Sequence, residues 1–453
     1  MVHARVAHGD SVSPYPKDPL TRKECALASE TKPLTDDELI PSTLSIDALD
    51  IGGYDDPANR DVFAKARSFE LPKQAKAFDM YPFYKPLDDN QGPEAIVDGK
   101  RVIMLGSNNY LGLTRHPRVI KAARDAVEKY GTSMTGSRLM NGTTNLHIAL
   151  EEKIAGFLRR ESALVFSTGY QANLGVISAL VNRRAAAVID KGDHASIYDG
   201  TKLSDGEVFR FRHNEPNHLD EVLRRVTERK AALVVIDGVY SMGGDIADLP
   251  GIVEVSKRYG ARILVDDAHA IGVLGEGGRG TSSHFGLDNE VDLVVGTFSK
   301  TLASIGGFVA GPDDVLEWIK HFARPMLFSA SMPPASVAAA HTALDVLIDE
   351  PELVVRVNAL AKRLRDGLRA DGFDIGVSET PIVPIVIGDE VKMVSLWREL
   401  LDRGVYANAV IWPAVGKGEA ILRASCMATH SERQIDTAVE IMGELGRKWG
   451  LVP

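Results

Sequence analysis

Several residues with chemically useful side chains stand just past apolar, strand-length runs in this chain. Lys300 follows VDLVVGT and precedes a small-residue loop, within GTFSKTLASIGG. An ammonium there would be partly desolvated, which lowers a lysine pKa and frees the amine to act as a nucleophile or Schiff-base partner. Thr297 and Ser299 place two hydroxyls beside it, within reach of phosphate oxygens. Asp266 ends ILVDD, and a carboxylate at the end of a buried strand is costly unless paired. A protonated ring nitrogen is one such partner, and a ring kept cationic accepts electrons. Asp267 next to it should point to the opposite face. His194, in DKGDHASIYDG, and His269, in VDDAHA, each follow a strand. Singly, either could be an ordinary hydrogen-bonded histidine. Gly169-Tyr170 opens a helix directly after SALVFST. Free backbone amides and the helix dipole make such a start a phosphate site.

The runs that position these residues are SALVFST, AAVID, EVFRF, AALVVIDGV, ARILVDD, VDLVVGT and GGFVAG. They lack strict alternation, as expected of strands covered by helices on both faces. HPRVIKAARDAVEKYG and LHIALEEKIAGFLRR read as helices, the first with Pro117 in its opening turn and Gly131 past its end. The centre is therefore an α/β domain around a largely parallel sheet, whose active site belongs at the C-terminal strand ends. Residues 312–370 read as mostly helical, with a long helix starting near Pro333-Pro334. The tail, with strands FDIGV, PIVPIVIG, VYANAVI and AILRASC and helices at 389–403 and 431–448, reads as a smaller α+β domain. The expected divisions are 1–75, an arm that is partly disordered or straps a partner subunit; 76–105, packing on the small domain; 106–335, the large domain; and 336–453, a linking helix and the small domain.

At 453 residues the chain can bury a large core, and 44% apolar with 25% charged residues is ordinary globular composition. The balance of 52 basic and 62 acidic residues, net −10, argues against nucleic-acid binding. Two cysteines, Cys25 and Cys426, make neither a disulfide framework nor a cysteine metal site. With no membrane-length apolar stretch and no secretory leader, the expected address is the cytoplasm, with the inner membrane surface as a peripheral one. Gly275-Glu276-Gly277-Gly278-Arg279-Gly280 spells G-x-G-x-x-G but lacks the strand–turn–helix context of a dinucleotide site. His3 and His8 have no further ligand at metal spacing.

Taken together, TGSRLMNGT, FSTGYQANLG, DKGDHASIYDG, FRFRHN, GVYSMGGDIADL, VDDAHAIGVLGEGGRG, VGTFSKTLASIGGF and FSASMPP resemble the α-oxoamine synthases. These are pyridoxal-phosphate enzymes of the fold-type I aminotransferase superfamily. The resemblance covers residues 80–450 and implies a homodimer with shared active sites. It implies that Lys300 carries the cofactor and moves the α-proton, that Asp266 holds the pyridinium nitrogen, and that His194 stacks on the ring. His269 would bond the phenolate oxygen, with Ser241 nearby. Gly169, Tyr170, Thr297 and Ser299 would hold the phosphate, helped by Ser329 from the partner subunit. Arg423 would clamp the amino-acid carboxylate, with Asn108 or Asn109 assisting.

The reaction so implied is decarboxylative condensation of an amino acid with an acyl thioester of CoA or a carrier protein, giving an α-aminoketone. Serine and a long-chain acyl group are favoured. Serine-using members carry Arg-Pro-Pro before the clamp arginine, whereas Ile411-Trp412-Pro413 stands here, as in glycine-using members, so glycine or alanine with another acyl group is the alternative. An aminotransferase would share Lys300 and Asp266 but release neither thiol nor CO2. A non-catalytic subunit of the same fold typically lacks the lysine.

Overall fold

The computed structural model describes residues 60–412 and 414–453. Most of the arm and Pro413 thus lie outside the described residues. The chain divides at Gln74/Ala75 into two compact units. The first includes a short helix, Ala64–Ser68, and the start of another, Leu71–Ala77, neither of which the sequence reading placed there.

In the second unit, β1 (Leu87–Asn90), β2 (Glu94–Val97) and β3 (Lys100–Met104) form an antiparallel meander. The central sheet follows as β4 (Ser162–Phe166), β5 (Ala185–Asp190), β6 (Glu207–Phe211), β7 (Ala231–Asp237), β8 (Arg262–Asp266), β9 (Leu293–Thr297) and β10 (Gly307–Gly311). Its order is β4-β10-β9-β8-β7-β5-β6, and only β10 runs against its neighbours. Period two sorts its side chains into two cores. Val188, Val234, Ile236, Ile263 and Val265 pack on one face, while Ile189, Leu233, Val235 and Leu264 pack on the other. Burying each such side chain stabilises the fold by roughly 1.5–3 kcal/mol, so neither face tolerates charge. That explains the absence of polar alternation in these runs.

The remaining strands are β11 (Ile382–Gly388), β12 (Val405–Tyr406), β13 (Asn408–Val410) and β14 (Ala420–Ser425). An antiparallel sheet β11-β14-β13 carries Arg423, and β12 pairs in parallel with β3. VYANAVI is thus two short strands in different sheets. FDIGV is not a strand. Phe373 and Ile375 are buried, as alternation requires, but Gly372 (φ 96°) and Gly376 (φ 57°) turn the chain on either side. The long helix begins at Pro334 and runs to Asp349, packed along helix Pro117–Tyr130.

The glycine-rich run 275–280 wraps Asp267. That carboxylate accepts Thr281 N–H at 3.0 Å and the Thr281 hydroxyl at 2.6 Å. Gly280 (φ 99°) approaches it so closely that a Cβ would collide with Oδ2. The motif's last glycine therefore seats a buried acid.

Candidate active site

The C-terminal ends of β4, β5, β7, β8 and β9 open into one cavity of about 330 Å³. Gly169, Tyr170, His194, Ser241, Asp266, His269, Thr297, Ser299 and Lys300 all line it. These were singled out on separate motifs, and the sheet order brings them together. Ser329 is not among the lining residues; its Oγ accepts Gln171 Nε2 at 3.0 Å in the same chain.

Lys300 sits in a tight loop after β9, closed by Phe298 N–H to Gly306 O at 3.0 Å and Ser304 N–H to Phe298 O at 2.9 Å. Burial brings its pKa down to about 8, against the opposing pull of Asp266 and Asp237. A sizeable fraction of the amine is therefore neutral near physiological pH. Asp266, 6% exposed, accepts Asn173 Nδ2 at 2.6 Å on one oxygen and Ala268 N–H at 2.9 Å on the other.

His194 caps helix Ala195–Lys202, its Nδ1 accepting Ser196 N–H at 3.2 Å. That bond leaves the ring proton on Nε2. Desolvation lowers its pKa, with Lys300 adding to the effect, so the imidazole is neutral and can lie against a cationic ring. His269 is 7% exposed and burial holds its pKa well below the usual histidine value.

Helix Gly169–Leu180 begins at the cavity edge, with the Thr168 hydroxyl accepting Gln171 N–H at 3.0 Å. Its first intrahelical bond is Ala172 N–H to Thr168 O, so the amides of Gly169 and Tyr170 precede the ladder. A Cβ on Gly169 would stand 2.9 Å from Thr297 Cβ and 3.0 Å from its hydroxyl. Glycine thus lets the helix start lie directly beside Thr297, whose hydroxyl is 2.8 Å from Ser299 Oγ. Two amides, a dipole and paired hydroxyls make an anion cradle.

Arg423, 5% exposed on β14, donates to Ser241 O at 2.6 Å, Ser425 Oγ at 3.1 Å and Asn108 Oδ1 at 3.1 Å. Of the two asparagines offered by the SNNYLG turn, only Asn108 joins it. Asn109 turns away, and its amide donates to Thr114 Oγ1 at 2.8 Å.

Four side chains escaped the sequence reading. Asp237 ends β7 as Asp266 ends β8, and it lines the cavity; the same strand-end rule would have found it. Asn173 follows the helix start at Gly169 by four residues, and Ser196 follows that at Ala195 by one. Tyr110, fully buried, has its hydroxyl 2.7 Å from His269 Nδ1, a contact no local spacing announces.

The donor set fits pyridoxal 5'-phosphate: a depressed-pKa amine, a buried carboxylate for a ring nitrogen, a neutral histidine and an anion cradle. Residues 100–442 match the family described as Aminotransferase class I and II. Over 374 residues the chain is 47% identical to the serine palmitoyltransferase of Sphingobacterium spiritivorum, covering 83% of this chain and 94% of that one. It is 41% identical over 391 residues to the 8-amino-7-oxononanoate synthase of Thermoanaerobacter pseudethanolicus, covering 86% and 98%. A solved structure of SPT with its PLP internal aldimine superposes with TM-score 0.84 at 40% identity, covering 87% of this chain and all of that one. The chain belongs to this pyridoxal-phosphate-dependent aminotransferase family, and within it to the α-oxoamine synthases.

Proposed function

We propose that this chain condenses an amino acid, serine foremost, with a long-chain acyl thioester of CoA or a carrier protein, releasing CO2 and the free thiol. The product is an α-aminoketone of the 3-ketosphinganine type, and pyridoxal 5'-phosphate is the cofactor. The observation that carries the reading is the clamp of buried Arg423 with Asn108 beside the Lys300–Asp266 cavity, joined to it through Ser241. An α-amino acid needs an amine-reactive centre and a carboxylate fork at once.

When bound, the cofactor supplies an electron sink for the charge left at the amino acid's α-carbon. Asp266 would keep the ring nitrogen protonated, His194 would cover the ring, and His269 and Ser241 would bond its oxygen. Gly169, Tyr170, Thr297 and Ser299 would hold the phosphate. The Lys300 amine, at the cavity wall with a lowered pKa, would be the base that takes the α-proton and later returns one. Arg423 fixes the carboxylate, and hence which bond at the α-carbon breaks first.

A second reading, with glycine or alanine and a different acyl group, draws on Ile411-Trp412 standing where serine-using members carry arginine, and on the likeness to 8-amino-7-oxononanoate synthases. We further propose a homodimer in which Ser329 serves the partner's phosphate site. Support comes from two exposed apolar side chains: Met140 and Phe328 are 78% and 79% exposed, and the segments carrying them meet through Ser331 N–H to Gly136 O at 2.9 Å. Light scattering should give twice the chain mass; a fully active monomer would contradict it. Among the described residues no helix is long and apolar enough to cross a membrane. We place the enzyme in the cytoplasm, meeting its acyl substrate there or at the inner membrane surface.

The test is a matrix of serine, glycine and alanine against acyl-CoAs of increasing chain length, read as thiol and CO2 release. Serine with long acyl chains should give both in equal amounts. Keto-acid formation without thiol would mark an aminotransferase instead.

A further inference from the structure

Tyr110 lies between the Arg423–Asn108 clamp and His269 of the cavity. Its hydroxyl is 2.7 Å from His269 Nδ1 and 3.4 Å from Asn108 Oδ1, the atom that accepts Arg423 Nη2 at 3.1 Å. The Arg423 guanidinium is also near enough to the phenol to favour its anionic form, against the effect of burial. Four side chains from three separate segments therefore run from the carboxylate clamp to the cavity. All are in the second compact unit, and all but Asn108 are buried.

Counting protons fixes the direction of these bonds. Burial pushes the phenol up to about 12, so Tyr110 keeps its single proton. His269 faces Lys300, Arg423 and His194, three groups that add to burial in keeping it uncharged, so it too has one proton. If the phenol proton went to Asn108 Oδ1, it would span 3.4 Å to an acceptor Arg423 already uses, and His269 would turn a bare lone pair toward an anionic ring oxygen. If it goes to His269 Nδ1, it spans 2.7 Å, the phenol oxygen stays open to the Arg423 guanidinium, and the histidine proton sits on Nε2, the nitrogen left to face the cavity.

We propose that Tyr110 is a positioning residue: its hydroxyl locks His269 as an Nε2–H donor toward the cofactor's ring oxygen and couples that donor to occupation of the Arg423–Asn108 clamp. Arg423 polarises the phenol, and the phenol polarises the imidazole, so a carboxylate that neutralises Arg423 changes the bond His269 offers some distance away. The inference rests on the cofactor reading above.

The test uses the holoprotein and 3-hydroxypropionate, a carboxylate without the amine that would react. In the parent, the pH midpoint of the bound cofactor's absorbance should move when 3-hydroxypropionate saturates the clamp. In Tyr110→Phe the midpoint should stay put, and Asn108→Ala, which keeps the phenol–histidine bond, should lose most of the response as well. Tyr110→Phe should also weaken the apoprotein's hold on pyridoxal phosphate about tenfold, but less than about twofold in a His269→Gln background. Equal losses in both backgrounds, an undiminished carboxylate response in Tyr110→Phe, or a parent midpoint indifferent to carboxylate would each overturn the proposal while leaving the cofactor assignment standing. A parent protein that takes up no pyridoxal phosphate would overturn the assignment itself, and this inference with it.

Discussion

The Asn173 side-chain amide donates to Asp266 Oδ2 at 2.6 Å and to Ser196 Oγ at 2.9 Å. One buried residue thus ties the acid at the end of β8 to the helix cap that carries His194. It uses both hydrogens of its amide to do so. Removing it leaves a buried carboxylate short of a donor, which costs about 1–3 kcal/mol. Asn173→Ala should therefore weaken pyridoxal phosphate binding by roughly tenfold or more, read by absorbance titration of the apoprotein. Unchanged affinity would show that Asp266 is held in place without it.

Gly169→Ala tests the anion cradle. The new methyl must displace either the helix start or Thr297, since it would stand 2.9 Å from Thr297 Cβ. Pyridoxal phosphate affinity should drop about tenfold, while binding of pyridoxal, which lacks the phosphate, should change by less than about twofold. Equal losses for both would place the phosphate elsewhere.

His213 predicts a pH dependence of stability. Its ring is within 2.9 Å of Asp190 Oδ1 and 3.0 Å of Asp245 Oδ2, and these two bonds raise its pKa from 6.5 to about 10. A raised histidine pKa stabilises fully below 6.5, and that contribution is lost as pH climbs through about 10. Lys300 acts with the opposite sign, because its pKa falls from 10.5 to about 8, and its penalty is relieved as pH rises across that interval. The two must be separated by difference. In urea unfolding, the stability gap between the parent and His213→Asn should be widest near pH 6 and shrink toward pH 10. A constant gap would contradict the carboxylate–imidazole sandwich.

Most of the central sheet was legible in the sequence because burial on both faces leaves no room for polar residues; EVFRF (207–211), which does carry charge, is the exposed edge strand β6. Strand-end logic then placed eight lining residues together, and the family resemblance added Ser241. FDIGV misled because alternation reports burial, not ladder pairing: Phe373 and Ile375 point inward from a turn whose link to β11 is Val386 N–H to Asp374 O at 2.9 Å. The choice between Asn108 and Asn109 was closed to sequence because adjacent residues differ only in direction, and direction is set by β14, more than three hundred residues later. Tyr110 was illegible for the same reason. Its chemistry comes from His269, and only the folded sheet brings the two within hydrogen-bonding distance.

The most direct measurement is borohydride reduction of the holoprotein followed by peptide mass spectrometry. Reduction fixes the cofactor to whichever amine carries it. The account predicts one pyridoxyl mass per chain, on the peptide containing Lys300, and a Lys300→Ala protein that gains no such mass and no condensation activity. A label on another lysine, or an unlabelled and colourless protein, would contradict it.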